Sequence, residues 1–363
     1  LFDKFDSYTF FPAQHWSHAW ERQHELIYRL ASVIGDKVHV FPPLGLVEYR
    51  IFSITFVNKV VNKLRKEKSF NNSNRKLDNM EFIHSLYIHK FDKLSTSINY
   101  HLLNSKFQLG QNNFFWATYI NPVNYKFFKK SKFKVLDLAE RRQVNDQLSD
   151  KMKELEKQAV AEADIVFVDN LVTLEDYKDL NSNIKYVPQG YDSQKIFLNT
   201  VKKGNKIGYI GHLHKHIDYD YLFKLIEENS DCEFLIVGGI LDNKALKLNE
   251  YKNVVLTGQV PKDELQQYLE QMDYGLIPYK VNQFTEGVFP TKLFEYLGAG
   301  VPVISTPIPE VVNYRNDKYI FIEKTPKVIE YNVCLDGIED FLKHHTWESR
   351  FNEYVESIKE VLV

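Results

Sequence analysis

The sequence predicts an α/β protein made of two Rossmann-like domains, each an open parallel sheet covered on both faces by helices. Three observations predict it. Short β-branched or aromatic runs alternate with helical spacings along the whole chain, which is the pattern of βαβ units. Glycines close several of those runs, at Gly211, Gly238-Gly239 and Gly258, where a strand turns toward a helix. The chain has 363 residues, 44% of them hydrophobic, enough for two cores at roughly 100–200 residues per domain.

The elements follow in order. Ser7–Pro12 is short, aromatic and strand-like. Trp16, Trp20, Leu26, Ile27, Leu30 and Ala31 fall at helical spacing, predicting a helix over Trp16–Ile34 that Gly35 stops. Lys37–Phe41 reads as a strand closed by Pro42-Pro43, and polar, basic residues from Asn58 to Asn79 read as an exposed loop. Phe82–Ile88, Phe114–Ile120, Phe133–Leu138, Asp164–Val168 and Lys185–Pro188 are strand candidates, with a charged helix at Ser149–Ala163. The second half repeats the alternation. Strands are expected at Lys206–Ile210, Glu233–Val237, Asn253–Leu256, Tyr274–Ile277 and Val301–Ser305. Helices are expected at Asp218–Asn229, Lys262–Gln271 and Pro290–Leu297. The two halves join near 190–205, and ligands of such sheets sit outside the carboxyl ends of the strands.

Composition excludes other classes. Charged residues make up 26%, ordinary for a globular chain and far from disorder. Two cysteines, Cys232 and Cys334, make neither a disulfide framework nor a zinc site. No run approaches the ~18–20 apolar residues of a membrane helix, and the opening Leu-Phe-Asp-Lys lacks a leader pattern. A cytoplasmic location is the expectation. The net charge of −2 hides a segregation: residues 58–134 hold 15 basic against 4 acidic side chains. Tyr125, Phe127, Phe128 and Phe133 are interleaved with Lys129, Lys130, Lys132 and Lys134, while Arg65, Lys66 and Lys68 lie earlier in the same region. Such a region suits peripheral contact with an anionic membrane; its bland alternative is a solvated basic face with Phe128 and Phe133 in the core. No nucleic-acid motif accompanies it.

The most informative segment runs from Glu286 to Thr306. Pro290 suits the first turn of a helix, whose amides and dipole can hold a phosphate. Lys292 can approach that phosphate, and Glu295, one turn in, can accept hydrogen bonds from two neighbouring hydroxyls, as on a ribose. A surface Lys292–Glu295 ion pair is the plain alternative.

Pro290, Lys292, Glu295, Tyr296, Leu297, Gly300, Pro302 and Val303 resemble the nucleotide-sugar signature of the group 1, family 4-like retaining glycosyltransferases of the GT-B class. Lys206–Leu213, Phe234–Gly239, Val254–Pro261, Ala163–Val168 and Val187–Asp192 resemble neighbouring stretches of the same set. Trp16–His24 and Lys134–Glu140 resemble its teichuronic-acid and surface-polysaccharide branch. The resemblance implies a GT-B fold with an interdomain cleft. It implies an acceptor-binding domain over 1–195, a nucleotide-sugar domain over 196–345 and a C-terminal helix, 346–363, crossing back.

The implied reaction moves a sugar from a nucleotide-diphosphate donor, UDP-linked in most of this set, to a hydroxyl of a glycan or lipid-linked acceptor. It runs with retention and needs neither a metal nor a bound cofactor. Glu295 would hold the ribose. Pro290, Thr291, Lys292 and the Gly211, His212 and Lys215 loop would face the diphosphate, and Gln259 and Val260 the base. His15 and His18 would serve the acceptor or the departing phosphate and Glu286 the donor sugar, with Arg22, Asp137 and Glu140 on the acceptor side. The sequence departs from the pattern at two points. Eight residues separate Glu286 from Glu295 where the family has seven, putting Gly287 at the partner position, and His212 stands where the family places Arg. Two other readings share the nucleotide site: a sugar-nucleotide epimerase, and a non-catalytic binding subunit of a polysaccharide assembly.

Overall fold

The computed structural model describes residues 1–16, 20–44, 76–85, 87–88, 91–192, 205–261 and 264–362. They divide into two compact units: Leu1–Asp169 with Thr173–Val187 and Phe351–Val363, and Asn170–Val172 with Pro188–Arg350.

The first unit is a seven-stranded sheet in the order β3-β2-β1-β4-β5-β6-β7, every pairing parallel. Its strands are β1 (Ser7–Phe11), β2 (Val38–Val40), β3 (Met80–Phe82), β4 (Asn113–Ala117), β5 (Phe133–Leu138), β6 (Ile165–Val168) and β7 (Ile184–Tyr186). All five residues of β1 and of β4 are buried, as strands covered on both faces must be. Phe11 stacks on Phe41 at 4.4 Å and on Phe115 at 5.3 Å, tying β1 to its neighbours. Helix Trp347–Leu362 returns Tyr354 to this core, stacked 3.6 Å from Phe167 with its hydroxyl 2.7 Å from Trp116 Nε1.

The second unit is a six-stranded parallel sheet in the order β10-β9-β8-β11-β12-β13. It comprises β8 (Lys206–Ile210), β9 (Glu233–Val237), β10 (Val254–Gly258), β11 (Tyr274–Ile277), β12 (Val303–Ser305) and β13 (Ile320–Ile322). Helix Lys292–Gly298 buries Leu293, Phe294, Tyr296 and Leu297. Tyr296 fixes its seat: a β-carbon on Gly275 would stand 2.4 Å from the tyrosine ring. Its hydroxyl accepts from the Ile210 amide at 2.9 Å and donates to the Leu276 carbonyl at 3.3 Å, bridging β8 and β11.

The expected doubly wound α/β architecture is what the structure has, but several elements differ. The helix expected from Trp16 begins at Arg22, capped by Glu21 and His24; Trp16 and Trp20 instead pack edge to face at 5.2 Å ahead of it. The strand expected at Phe82–Ile88 is Met80–Phe82. Asn99 clamps the Ile88 amide and carbonyl, both at 2.7 Å, in place of a ladder. Helices Lys93–Asn104 and Asn124–Lys130 were not foreseen. In the second of these Phe127 and Phe128 are fully buried, and Phe133 nearly so. Three of the rings expected at a membrane interface are therefore core, because both faces of the sheet need apolar cover, and Tyr125 is half-buried against them. Arg65, Lys66 and Lys68 lie outside the described residues.

Candidate nucleotide site

In each sheet the strand order reverses once, between β1 and β4 and between β8 and β11. Side chains outside the carboxyl ends there are the first place to look for a ligand site.

In the second unit the strand ends are tied to one another. The Gly211 amide donates to the Val237 carbonyl at 2.8 Å, Leu213 to Gly239 at 2.9 Å and Gly238 to Gly258 at 2.9 Å. Gly211 and Gly238 have φ of +138° and +148°, a region in which side chains are strained. A β-carbon on Gly238 would lie 2.1 Å from the Gly211 carbonyl oxygen. The turns after β8 and β9 thus nest only because glycine occupies them.

Lys292 closes this nest. A β-carbon on Gly211 would stand 2.6 Å from the Lys292 Cε and 2.9 Å from its Nζ. The ammonium lies 5.8 Å from the Tyr209 ring centroid and 5.9 Å from that of Tyr279. Burial works against its charge, but Tyr279 and Glu295 outweigh burial and hold Lys292 above the ordinary lysine value. It is a cation fixed beside a glycine turn, the arrangement that receives phosphate oxygens.

Tyr279 belongs to the tie between β8 and β11. It bridges to Ile217 in antiparallel register, and Thr306 donates to its carbonyl at 2.6 Å. The next residue, Lys280, donates its amide to the His216 carbonyl at 2.9 Å and its ammonium to the Lys215 carbonyl at 2.8 Å. His216 stacks on Phe284 at 4.3 Å. The histidine loop and the loop carrying Glu286 are therefore joined. Burial, with His216, Lys292 and His212 nearby, lowers His214 from 6.5 to about 4.

The positions expected for donor contacts fall into place unevenly. Glu295 and Thr291 are exposed, and Glu286 sits half-buried in the turn Thr285–Gly287. Gln259 is exposed just past β10, while Val260 packs against the second core. Pro290 is not in the helix, which starts at Lys292 and has seven residues. The amides of Leu293, Phe294 and Glu295 already bond to the Pro290 and Thr291 carbonyls. The fixed charge beside the glycine turn is the lysine. Sequence reading gave no role to Tyr209 and Tyr279, because aromatics at strand ends read as core, and it named Tyr296 only as part of the motif.

In the first unit Arg22 and Asp137 have found each other. The guanidinium donates to one carboxylate oxygen from Nε at 3.0 Å and from Nη2 at 2.8 Å, with both side chains buried. Burial opposes the charge of Arg22, yet Asp137 and Asp169 hold it above its ordinary value. Sequence spacing gave no sign of a pair 115 residues apart. A pocket of about 250 Å³ opens past β1, β2 and β3, with His15, Trp16, Phe82, His84 and Lys106 in its lining. The His15 carbonyl lies 3.2 Å from His24 Nε2. Glu140 is exposed, and His18 lies outside the described residues.

Residues 204–333 match the family described as glycosyl transferases, group 1. TuaH of Bacillus subtilis, whose name makes it a teichuronic acid biosynthesis glycosyltransferase, is 34% identical over 111 residues, which are 30% of this chain and 28% of TuaH. The match thus spans under a third of that relative. Sucrose-phosphate synthase from Thermosynechococcus elongatus shares the fold with a TM-score of 0.67 at 12% identity, covering 98% of this chain and 99% of that one. Anabaena HepE in complex with UDP and glucose does so with a TM-score of 0.64 at 11% identity, over 97% and 99%. The chain therefore has the GT-B fold, and residues 204–333 of its second unit are similar to the group 1 glycosyltransferases.

Proposed function

We infer that the protein transfers a sugar from a nucleotide-diphosphate donor, UDP-linked, to a hydroxyl of a glycan or lipid-linked acceptor in surface-polysaccharide synthesis. The observation that carries this reading is Lys292 seated against the Gly211 turn at the β8/β11 reversal. The UDP complex of HepE and the name of TuaH support it.

In this reading Lys292 meets the diphosphate and stabilises the charge that develops as the sugar–phosphate bond breaks. Glu295 accepts the ribose hydroxyls, Gln259 and Val260 face the base, and Glu286 the donor sugar. His15 and His18 serve the acceptor, the former beside a pocket with aromatic walls suited to a sugar ring. Retention, metal independence and a cytoplasmic site of action at the inner membrane face belong to the same proposal. Among the described residues no helix is long and apolar enough to cross a membrane. With Phe127, Phe128 and Phe133 buried, the basic region offers exposed lysines, Lys129, Lys130 and Lys132 among them, for attraction to anionic lipid, at ~1 kcal/mol per charge near such a surface.

A thermal-shift panel of UDP-, GDP-, ADP- and TDP-sugars tests the donor site, since a ligand bound only by the native state raises the melting temperature. A rise with UDP-sugars is expected; no rise with any of them removes the proposal. Appearance of the labelled sugar on an added acceptor separates transfer from epimerisation and from binding alone.

A further inference from the structure

His214 stands beside Lys292 and is given no role by the reading above. Two features define its chemical state. The backbone amide of His216 donates to His214 Nδ1 at 3.2 Å. A ring nitrogen that accepts carries no proton, so the neutral imidazole bears its hydrogen on Nε2. The groups around it forbid a second proton. His212, His216 and Lys292 all act on it electrostatically, Lys215 and Lys280 lie beside His216, and among the described residues no carboxylate is one of its electrostatic neighbours. With a value near 4 the ring is neutral at physiological pH.

Its position is equally fixed. The His214 ring centroid is 5.8 Å from that of Tyr279, and Lys292 Nζ is 5.9 Å from the same centroid, so one tyrosine is shared by both. The His214 carbonyl accepts from the Ile217 amide at 3.1 Å and from the Tyr219 hydroxyl at 3.3 Å. Lys215, by contrast, is exposed.

We propose that His214 is a second contact to the donor diphosphate, a neutral imidazole donating Nε2–H to a phosphate oxygen held by Lys292. This rests on the reading of Lys292 given above. A neutral donor adds a directed hydrogen bond without crowding a second cation against the lysine. Such a bond strengthens as charge builds on the leaving oxygen.

Calorimetric titration of the full chain with UDP, inorganic pyrophosphate and uridine tests it. His214→Ala should weaken UDP and pyrophosphate roughly tenfold or more, as expected for losing a bond to a charged group, with uridine affinity and melting temperature unchanged. His214→Gln, which keeps an N–H near the position of Nε2, should recover most of the loss. Imidazole ¹⁵N spectra should show the Nε2–H tautomer and a shift at Nε2 on adding pyrophosphate but not uridine. Unchanged UDP and pyrophosphate affinity in His214→Ala, while Lys292→Ala loses both, overturns the proposal, and so does an Nδ1–H tautomer. If the unaltered protein binds neither UDP nor pyrophosphate, the fault lies with the donor-site reading itself, and this inference falls with it.

Discussion

Lys292 occupies the space a side chain at Gly211 would need: the missing β-carbon would sit 2.6 Å from the lysine Cε. Glycine is required there twice over, for its φ of +138° and for the room it leaves. Gly211→Ala should therefore cost ~1–3 kcal/mol in backbone strain and push the ammonium from its place. The measurements are the urea midpoint and the UDP thermal shift. Loss of the shift beyond the loss of stability is expected, and a normal shift would detach the lysine from the nucleotide.

Glu295 is exposed on the first turn of its helix, so Glu295→Ala should leave the melting temperature of the ligand-free protein almost unchanged. The same substitution should abolish the rise caused by UDP-sugars. A rise of the original size would take Glu295 out of the donor site.

Arg22 and Asp137 are a buried ion pair joined by hydrogen bonds of 2.8, 3.0 and 3.2 Å. Removing one partner strands the other charge, which costs about 3–5 kcal/mol. Asp137→Ala should lower the unfolding free energy, measured by urea titration, by that amount. Replacing both, Arg22→Met with Asp137→Leu, should recover much of it, and a double-mutant cycle measures the coupling. Equal losses in the single and double variants would show that the pair contributes by shape alone.

His214 and His345 are both lowered from 6.5 to about 4, chiefly by burial. As pH falls below 6.5 the unfolded chain takes up protons that the native chain refuses. Their stabilising contribution is thus complete above 6.5 and is lost progressively as pH falls toward 4. Urea midpoints should drop between pH 7 and pH 5, and His214→Gln should drop less. Identical pH dependence in the two proteins would mean that His214 is protonated as readily folded as unfolded.

Much of this was legible from the order of residues. Alternating strand and helix periods with glycines at strand ends required two parallel sheets, because each apolar run is too short to do anything but pair and be covered. The segment from Pro290 to Val303 carried the resemblance to group 1 glycosyltransferases, since its spacing is local and survives without coordinates. What needed the tertiary structure was every relation between distant positions. The pairing of Arg22 with Asp137, the shared tyrosine between His214 and Lys292, and the burial of Phe127, Phe128 and Phe133 all depend on which faces meet. A one-dimensional pattern reports periodicity along one element. It does not report which other element supplies the countercharge, the ring or the cover, and that choice is made only when the sheet closes its order and the strand ends converge.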